Sequence, residues 1–401
     1  MTNIDPKKID EILTRGVERV YPSKEALAKV LKSGKRIRLY CGYDPSSPKL
    51  HIGSSITFKK LGQFQKLGHE VIMLIGDFTG MIGDPTDKTA TRKKLSREEV
   101  LANSKNYKKY ASRFIGFSGS NPAKIKYNSE WSDKLSFADL IEIASNFTVQ
   151  QMIIRDMFQE RLRKNRPIHI HEFLYPIAQG YDSVVMDVDL EIGGNDQTFN
   201  MLAGRDLMKI MKNKEKFVLT MKLLTDPTGK KMGKTEGNVV NMDEKPNEMF
   251  GKIMRWPDAL ITPAFELLTD ISDKEIKDIA TKLKKGAVNP RDVKAKLARE
   301  ITSFYHGKNA ALKAEKEFNR VFKQREAPSE IPAVSIKGKN IDILELLLKI
   351  KLAPSKSEAR RLIEQKGVKI DGKIQSYWRK MISPKRGMIV QVGKRKFAKI
   401  S

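Results

Sequence analysis

The sequence predicts an α/β protein in which a parallel-sheet domain comes first, a helical domain second and a small α+β unit last. Three observations lead to this fold class. Two strand-like segments flank a helix-like segment between residues 36 and 80. Residues 244–325 carry apolar side chains at helical spacing with a basic surface. Residues 323–340 have the prolines and charges of a linker, after which residues 341–401 restart as a compact unit.

The first domain is built around a strand–helix–strand unit. Residues 5–33 have apolar residues at helical spacing, and residues 36–43 (RIRLYCGY) are typical of a strand. Residues 52–67 have a helix pattern that stops at a glycine, a common end signal. Residues 70–80 (EVIMLIGDFTG) form a mostly apolar run, typical of a strand buried on both faces. This βαβ order implies a parallel sheet with a right-handed crossover, which is a Rossmann-like arrangement.

The remaining elements of this domain follow in order. Residues 133–174 are predicted to be mainly helical and to interrupt the sheet, and residues 182–194 show strand-like alternation. Residues 195–211 then open a helix, and residues 225–238 form a polar loop with three glycines. The expected domains are a catalytic domain with a helical insertion (1–240), a helical domain (241–325), a linker (326–340) and a last small domain (341–401).

Bulk composition limits the functional class. The chain has 401 residues, enough for two or three domains at about 150 residues each. Its formal net charge of +28 is spread along the whole chain, which favours a large polyanion such as RNA as a partner. A generally lysine-rich proteome would produce the same charge, and composition alone does not separate the two explanations.

Cysteine usage and hydropathy indicate the compartment. Cys41 is the one cysteine, so an intrachain disulfide is excluded and a reducing compartment fits. The first 20 residues lack the apolar segment of a signal peptide. No run of about 18 apolar residues occurs, so we expect a soluble cytoplasmic protein without a membrane partner.

The two predicted strands of the βαβ unit end in polar, glycine-rich segments, YCGYDP and GDFTGMIGDP. Ligands of parallel sheets bind beyond the carboxyl ends of the strands, so these segments mark a candidate site. His51 and Gly53 lie in HIGS, where a helix begins and its N-terminus attracts phosphate. A lone histidine at such a position is more often structural. Residues 229–235 (GKKMGKT) likewise permit two interpretations, a loop closing over a polyphosphate or a solvated lysine-rich loop.

HIGS and KMGKT, in this order after a βαβ strand, resemble the two signatures of class I aminoacyl-tRNA synthetases, His-Ile-Gly-His and Lys-Met-Ser-Lys-Ser. The segments YCGYDP, IGDPTDKTATR, YPIAQGYD and GGNDQ are similar to the bacterial tyrosyl-tRNA synthetases from about residue 36 to 240. The tail DILELLLKIKLAPSKSEARRLIEQKGVKIDGK resembles the S4-type RNA-binding domain that ends such enzymes. Ser54 departs from the signature histidine, and Gly233 and Thr235 replace signature serines.

The resemblance implies a ligase that activates tyrosine with ATP, releases pyrophosphate and transfers tyrosine to tRNA(Tyr). It further implies Mg²⁺ accompanying ATP, no permanently bound cofactor, no metal cage made of protein side chains, and a homodimer. Residues 146–162 carry apolar side chains beyond one helical stripe, so we expect them in the subunit interface. The apolar residues concerned are Val149, Met152, Ile153, Met157 and Phe158.

The same resemblance assigns the tyrosine-binding residues. Tyr40 and Asp182 are expected to hold the phenol hydroxyl, and phenylalanine would leave both unpaired and buried. Tyr175, Gln179 and Asp84 are expected around the ammonium group, and Gln197 is expected to face the carboxyl end of the substrate. For Asp84, which precedes a proline, a simple turn remains the alternative.

Three further groups follow from the resemblance. The adenylate is expected to contact Cys41, Gly42, Asp44, Gly53, Ser54, Gly194 and Asp196, with Cys41 either a ribose contact or a small buried residue. Positive charge for the departing pyrophosphate is expected from His51, Lys88, Arg92, Lys231, Lys234 and Thr235. RNA contacts in the tail are expected from Lys351, Lys356, Arg360, Arg361 and Lys366, around a core of Leu344, Leu347, Leu348, Leu362 and Ile363.

Two alternatives remain from the sequence. A tryptophan-specific relative would share the fold and the ATP chemistry, but indole has no hydroxyl to match Tyr40 and Asp182. A non-catalytic RNA-binding protein could retain an old enzyme body, although His51 and the two loop lysines, Lys231 and Lys234, speak against it.

Overall fold

The computed structural model describes residues 2–86, 95–225, 239–322, 331–336, 338, 340–393 and 396–401. The chain forms two compact units. The first comprises Met1–Glu244 and Arg255–Leu297, and the second comprises Lys245–Met254 and Ala298–Ser401. The predicted helical domain, 241–325, is therefore divided between the two units.

A six-stranded sheet forms the centre of the first unit. Its strands are β1 (Val17–Tyr21), β2 (Arg38–Tyr43), β3 (Glu70–Ile75), β4 (Lys124–Tyr127), β5 (Leu190–Gly194) and β6 (Phe217–Met221). Their order is β1-β6-β5-β2-β3-β4, in which β1 runs antiparallel to β6 and all other neighbours are parallel. The α/β class with a parallel sheet is confirmed. Because the chain builds outward from β2 on one side and from β5 on the other, the sheet has a switch point between these two strands.

Helices cover both ends of the sheet connections in the first unit. Before β5 they are α1 (Pro6–Thr14), α2 (Lys24–Lys32), α3 (Ser55–Lys66), α4 (Thr79–Ile82), α5 (Arg97–Ser104), α6 (Tyr107–Ala111), α7 (Ser129–Ser132), α8 (Phe137–Ala144), α9 (Val149–Ile153), α10 (Asp156–Arg163) and α11 (His171–Met186). After β5 come α12 (Thr198–Lys212), α14 (Ile261–Leu268) and α15 (Asp273–Lys284), while α13 (Pro246–Ile253) belongs to the second unit and α16 (Pro290–His306) runs from one unit into the other. Short 3₁₀ turns precede α3, α12 and α14, at Ile52–Ser54, Asn195–Gln197 and Asp258–Leu260.

The predicted βαβ unit is β2, α3 and β3. Along β3, every side chain from Val71 to Ile75 is at most 2% exposed, which explains the uninterrupted apolar run. Gly68, predicted to end the helix, adopts a φ of +91° directly after its last turn. A side chain is strained in that backbone conformation, so glycine is the residue that suits this position.

Two predicted elements differ from the structure. The helix expected over 5–33 is broken by β1, because Gly16 adopts a φ of +68° and the chain then pairs with β6. The strand expected over 182–194 begins only at Leu190, because α11 continues to Met186. A Cβ on Gly180 of α11 would lie 3.2 Å from the backbone nitrogen of Gly204 in α12, so close helix packing holds this segment in helical form.

The second unit combines helices with small sheets. Its further elements are α17 (Lys308–Phe322), α18 (Ile343–Lys349), α19 (Lys356–Glu364), β7 (Ala333–Val334), β8 (Ile341–Asp342), β9 (Val368–Ile370), β10 (Lys373–Gln375), β11 (Met381–Ile382), β12 (Ile389–Val392) and β13 (Lys396–Ile400). Five strands form a sheet in the order β10-β9-β12-β13-β7, and β8 pairs with β11. Since β7 pairs with β13, this part of the expected linker 326–340 belongs to the sheet.

The expected core of the tail is present. Leu344, Leu347 and Ile363 are buried, and Leu348 and Leu362 pack against them while partly exposed. Across the described residues, none of the helices combines the length and apolar character that crossing a membrane requires.

Lys60 is a buried cation in α3 and is 2% exposed. Its ammonium group donates hydrogen bonds to the carbonyl oxygens of Ile12 (2.6 Å) and Arg15 (3.0 Å) at the end of α1. These carbonyls have no partner within their own helix, so Lys60 satisfies the end of α1. Burial, with a contribution from neighbouring Lys59, lowers the pKa of Lys60 to about 7, while Glu11 opposes the shift.

We predict that Lys60→Met changes how stability depends on pH. The folded pKa is about 7 and the unfolded pKa about 10.5, so between these values the unfolded chain binds a proton that the folded chain does not. Lys60 therefore favours folding more as the pH rises through this range. Urea unfolding from pH 7 to 10 should show the wild type gaining stability relative to the variant. Exposed Lys66→Met is the control, and parallel curves for wild type and Lys60→Met would contradict the prediction.

Candidate active site

A cleft of about 330 Å³ opens in the first unit beyond the carboxyl ends of β2 and β5. Every described residue that the sequence assigned to tyrosine or adenylate lines it, as does His51. These residues are Tyr40, Cys41, Gly42, Asp44, His51, Gly53, Ser54, Asp84, Tyr175, Gln179, Asp182, Gly194, Asp196 and Gln197. Lys88 and Arg92, in 87–94, and Lys231, Lys234 and Thr235, in 226–238, lie outside the described residues.

The switch point of the sheet explains how distant segments meet. Strand β2 carries Tyr40 and Gly42 into the cleft, and its neighbour β5 carries Gly194. Tyr40 is paired in register with Glu191 of β5, so the two side chains share one face of the sheet. A crevice forms at such a point because the connections leave in opposite directions.

The HIGS segment lies at the rim of the cleft. His51 precedes the 3₁₀ turn that leads into α3, and its backbone pairs with Asn241. The amide of Ile52 also donates to the carbonyl of Val240 (2.9 Å). Residues that follow the KMGKT segment are thereby joined to HIGS. A Cβ on Gly53 would lie 2.8 Å from the imidazole of His51, so this glycine leaves room for the ring as well as for a ligand.

Tyr40 and Asp182 lie at the closed end of the cleft, where they are 0% and 2% exposed. Asp182 accepts hydrogen bonds from the indole of Trp131 (2.8 Å) and the amide of Asn128 (3.3 Å). Burial raises the pKa of Asp182 well above its usual value, and these two hydrogen bonds oppose the shift. Burial also raises the pKa of Tyr40, so its phenol stays neutral. The arrangement places a hydroxyl and a carboxyl group together in an apolar enclosure.

A second set of hydrogen bonds surrounds Asp44. Its two carboxylate oxygens accept from the hydroxyls of Thr79 (2.7 Å) and Tyr175 (2.8 Å). Thr79 in turn accepts from Asn128 (3.0 Å), which also contacts Asp182. One continuous network therefore links the residue assigned to the adenylate with residues assigned to tyrosine.

Acidic groups also lie on the opposite wall of the cleft. Asp84 accepts from the side-chain amide of Gln197 (2.6 Å), while its other oxygen accepts from the backbone of Thr86 (2.9 Å). The local turn and the contact with a cleft residue thus coexist. Gln179 donates to Glu191 (3.0 Å). Burial raises the pKa of Asp196, and the charge of Asp84 raises it further.

The ambiguous residue Cys41 is both buried, at 4% exposure, and part of the cleft lining. Burial raises the pKa of its thiol to about 12. The side chain is therefore a protonated thiol at neutral pH, with a small apolar volume and weak hydrogen-bonding capacity.

Sequence reasoning missed several polar residues of the cleft. Asn128 follows β4 directly, and the strand-end argument that found the other segments would have found it. Glu191 is a charged residue within the otherwise apolar strand β5, and that contrast was a usable signal. Thr79 and Trp131 had no distinctive sequence pattern, because their positions depend on how α4 and α7 pack.

The remaining predicted residues lie on other surfaces. In 146–162, Met152 and Phe158 are buried in the chain's own core, so the expectation that they lie in an interface is wrong for these two. Val149 is 66% exposed, and Ile153 and Met157 are half-buried.

The tail residues Lys351, Lys356, Arg360, Arg361 and Lys366 are all exposed. Two of them also form local contacts in the second unit. Arg361 pairs with Glu358 at 2.7 Å, and the guanidinium of Arg360 lies 4.5 Å from the ring centre of Trp378.

Family comparison agrees with this geometry. Residues 32–323 match the family described as tRNA synthetases class I (W and Y), and residues 323–400 match a tyrosine–tRNA ligase C-terminal domain of the SYY-like type. The chain belongs to this class I tRNA synthetase family and is an aminoacyl-tRNA synthetase.

Individual relatives narrow the comparison to tyrosine. The chain is 43% identical to the tyrosine–tRNA ligase of Moorella thermoacetica, over 97% of this chain and 94% of that protein. It is also 43% identical to the tyrosine–tRNA ligase of Thermotoga maritima, over 99% of this chain and 98% of that protein. Among solved structures, a C-terminally truncated mitochondrial tyrosyl-tRNA synthetase of Coccidioides posadasii superposes with a TM-score of 0.61 at 26% identity, covering 77% of this chain and 91% of that one.

We predict that Asn128→Ala destabilises the first unit by about 1–3 kcal/mol, because a buried backbone amide loses its partner. The Asn128 side chain is 0% exposed and accepts from the backbone of Phe78 (2.8 Å) while donating to Thr79 and Asp182. Urea unfolding measures the change. Asn106→Ala is the control, since Asn106 is exposed and its side chain makes no capping hydrogen bond. Equal stabilities of the two variants would disprove this role of Asn128.

Proposed function

We propose that this protein is a tyrosine–tRNA ligase that forms tyrosyl-adenylate from tyrosine and ATP, releases pyrophosphate, and transfers tyrosine to the 3′ end of tRNA(Tyr). The observation that carries the proposal is the closed end of the cleft, where Tyr40 and Asp182 lie together in an apolar enclosure. A substrate side chain that ends in a hydroxyl pairs with both groups. Phenylalanine would leave a buried donor and a buried acceptor unpaired.

The middle of the cleft suits the amino-acid head group. Asp84, Tyr175 and Gln179 offer a carboxylate and neutral oxygens, which complement an ammonium group. Gln197 touches Asp84 and offers an amide to the substrate carboxylate. Tyrosine would then lie with its ring against Tyr40 and its reacting end toward the rim.

The rim suits ATP. Gly42, Gly53 and Gly194 leave backbone accessible to a flat ligand, and Asp196 offers an acceptor for ribose hydroxyls. Asp44, Cys41 and Ser54 complete our assignment for the adenylate. Pairing of His51 with Asn241 supports a phosphate site there, because it brings the end of the KMGKT-containing segment to HIGS. Mg²⁺ would arrive with ATP as part of the substrate.

The first step requires no general base. The tyrosine carboxylate is ionised at neutral pH and attacks the α-phosphate, and pyrophosphate leaves. The protein contributes alignment of the two substrates and positive charge where the leaving group becomes more negative. We assign this charge to His51, together with Lys88, Arg92, Lys231, Lys234 and Thr235 from segments outside the described residues.

For the second step we propose that tRNA(Tyr) contacts the tail through Lys351, Lys356, Arg360, Arg361 and Lys366. All five side chains are exposed, and phosphate contacts from such residues make binding weaken as salt rises. The tail surrounds its own apolar core, which favours a folded RNA-binding domain over a solvated basic extension. We propose that the enzyme works in the cytoplasm, where its tRNA substrate is used in translation.

We also propose a homodimer. Apolar side chains between residues 137 and 170 are unusually exposed for a soluble enzyme surface: Phe137 78%, Ile141 55%, Val149 66%, Ile154 70% and Ile170 79%. Clusters of exposed apolar residues commonly mark protein interfaces. The interface would thus use Val149 from the predicted segment 146–162, with Ile154 in place of the buried Met152 and Phe158.

Amino-acid-dependent ATP–pyrophosphate exchange tests the activity. We expect exchange with tyrosine, and we expect Asp182→Ala to lower kcat/KM for tyrosine by about 100-fold, because a charge-assisted hydrogen bond is lost in a buried site. Affinity for ATP should change little. Exposed Asp206→Ala is the control.

Each other outcome of the exchange assay points to a different function. Exchange with tryptophan instead of tyrosine would indicate the tryptophan-specific relative, and no exchange with any amino acid would indicate a non-catalytic RNA-binding protein. Loss of ATP affinity without loss of tyrosine use in Asp182→Ala would show that Asp182 has a different role.

Sedimentation velocity at micromolar concentration tests the dimer. We expect a dimer for the wild type and dissociation for the double variant Val149→Asp, Ile154→Asp, because two charges would be buried in an apolar interface. Ile374→Asp, an exposed apolar position in the tail, should remain dimeric. A wild-type monomer would refute the proposal.

A further inference from the structure

A buried ion pair behind the closed end of the cleft has no part in the assignments above. Lys216, directly before β6, is 0% exposed, and Glu191 of β5 is 2% exposed. Their side chains are in direct contact. A buried charge pair is costly to desolvate and is weak evidence for stability alone, so its neighbours indicate what else it does.

Three acceptors surround the nitrogen of Lys216. They are the carboxylate of Glu191, the hydroxyl oxygen of Ser183 (2.8 Å) and the carbonyl of Met201 (3.1 Å). An ammonium group has three N–H donors and no acceptor, so this arrangement uses all of them. A Cβ on Gly204 would lie 2.5 Å from the Lys216 nitrogen, and glycine at that position keeps the space open.

Ser183 connects this cation to the cleft. Among the described residues, its hydroxyl has two hydrogen-bond partners, Lys216 and the hydroxyl of Tyr40 (2.9 Å). Since Lys216 only donates, Ser183 accepts from it and has its own proton free to donate to Tyr40. The hydroxyl proton of Tyr40 is then directed away from Ser183, toward the space in front of Asp182.

The other end of this space is also defined. Asp182 already accepts from Trp131 and Asn128, and a carboxylate has no proton to give. A phenol placed between Tyr40 and Asp182 therefore accepts from Tyr40 and donates to Asp182. Every hydrogen bond runs in one direction, from an ammonium that can only donate to a carboxylate that can only accept.

We propose that Lys216 and Ser183 are positioning residues that orient Tyr40 as a hydrogen-bond donor to the phenol oxygen of the substrate, and so contribute to selection of tyrosine over phenylalanine. The proposal rests on the proposed function of the cleft. Without Ser183, Tyr40 has no internal donor and adopts either hydroxyl orientation, so the phenol loses part of its advantage. Phenylalanine makes no such bond and is unaffected.

Glu191 joins the two halves of the pocket. One of its oxygens contacts Lys216 and the other accepts from Gln179 (3.0 Å), which we assign to the ammonium end of tyrosine. Its charge compensates Lys216. Removing Lys216 alone would leave a buried carboxylate unpaired, so a test of the cation must change both partners together.

The test measures kcat/KM for tyrosine and for phenylalanine by ATP–pyrophosphate exchange in the full-length wild type and in Ser183→Ala. We expect the tyrosine-to-phenylalanine ratio to fall about 10-fold, through a loss with tyrosine while phenylalanine changes less than about 3-fold; a tenfold change equals about 1.4 kcal/mol, the size of one hydrogen bond. Thr220→Val removes another buried hydroxyl, which contacts Arg19 away from the cleft, and should leave the ratio unchanged.

The double variant Lys216→Met, Glu191→Gln provides a second measurement if Ser183→Ala folds poorly, and it should lower the ratio in the same direction. An unchanged ratio, with both substrates impaired equally in either folded variant, would show a purely structural role and overturn the inference. A wild type that exchanges with tyrosine while these variants keep full discrimination would leave the proposed function intact and remove this addition. A wild type without tyrosine exchange would overturn both.

Discussion

Burial of polar groups at the switch point of the sheet is the constraint on which the rest of this structure depends. The carboxyl ends of β2 and β5 bring Asp182 and Glu191 into an interior where an unpaired charge is strongly unfavourable. Each therefore needs donors from other elements. Trp131 and Asn128 supply them to Asp182, and Lys216 supplies them to Glu191. The position of α7 and the start of β6 follow from this need as much as from apolar packing.

The same hydrogen bonds leave a gap shaped for a ligand. Tyr175 and Thr79 hold Asp44 from two sides, and Asn128 ties Thr79 to Asp182. Because each group is held by its neighbours, the cleft is organised before a substrate enters, and little reorganisation is needed on binding. A pocket of this kind discriminates by hydrogen bonding, since a substrate without the matching group leaves buried partners unsatisfied.

Several predictions from sequence depended on short-range signals and agree with the structure. The apolar run of β3 and the turn at Gly68 reflect local burial and backbone geometry, which a single segment encodes. The errors arose where distant contacts outweigh local preference. Residues 182–186 contain β-branched side chains that favour a strand, yet close packing of Gly180 against Gly204 keeps them in α11. Strand β1 forms because β6 offers it a partner 200 residues later.

By itself, the sequence determined the order of strands and helices around the cleft, the family signatures and the residues that line it, since these are written in contiguous segments with characteristic spacing. Only the tertiary structure decided which of these residues touch, and which partners they need. Lys216 had no motif to distinguish it among many lysines, and its importance appears only where Ser183 and Glu191 converge on it. Hydrogen bonds act over about 3 Å, and a linear pattern does not specify distances of that size between residues far apart in the chain.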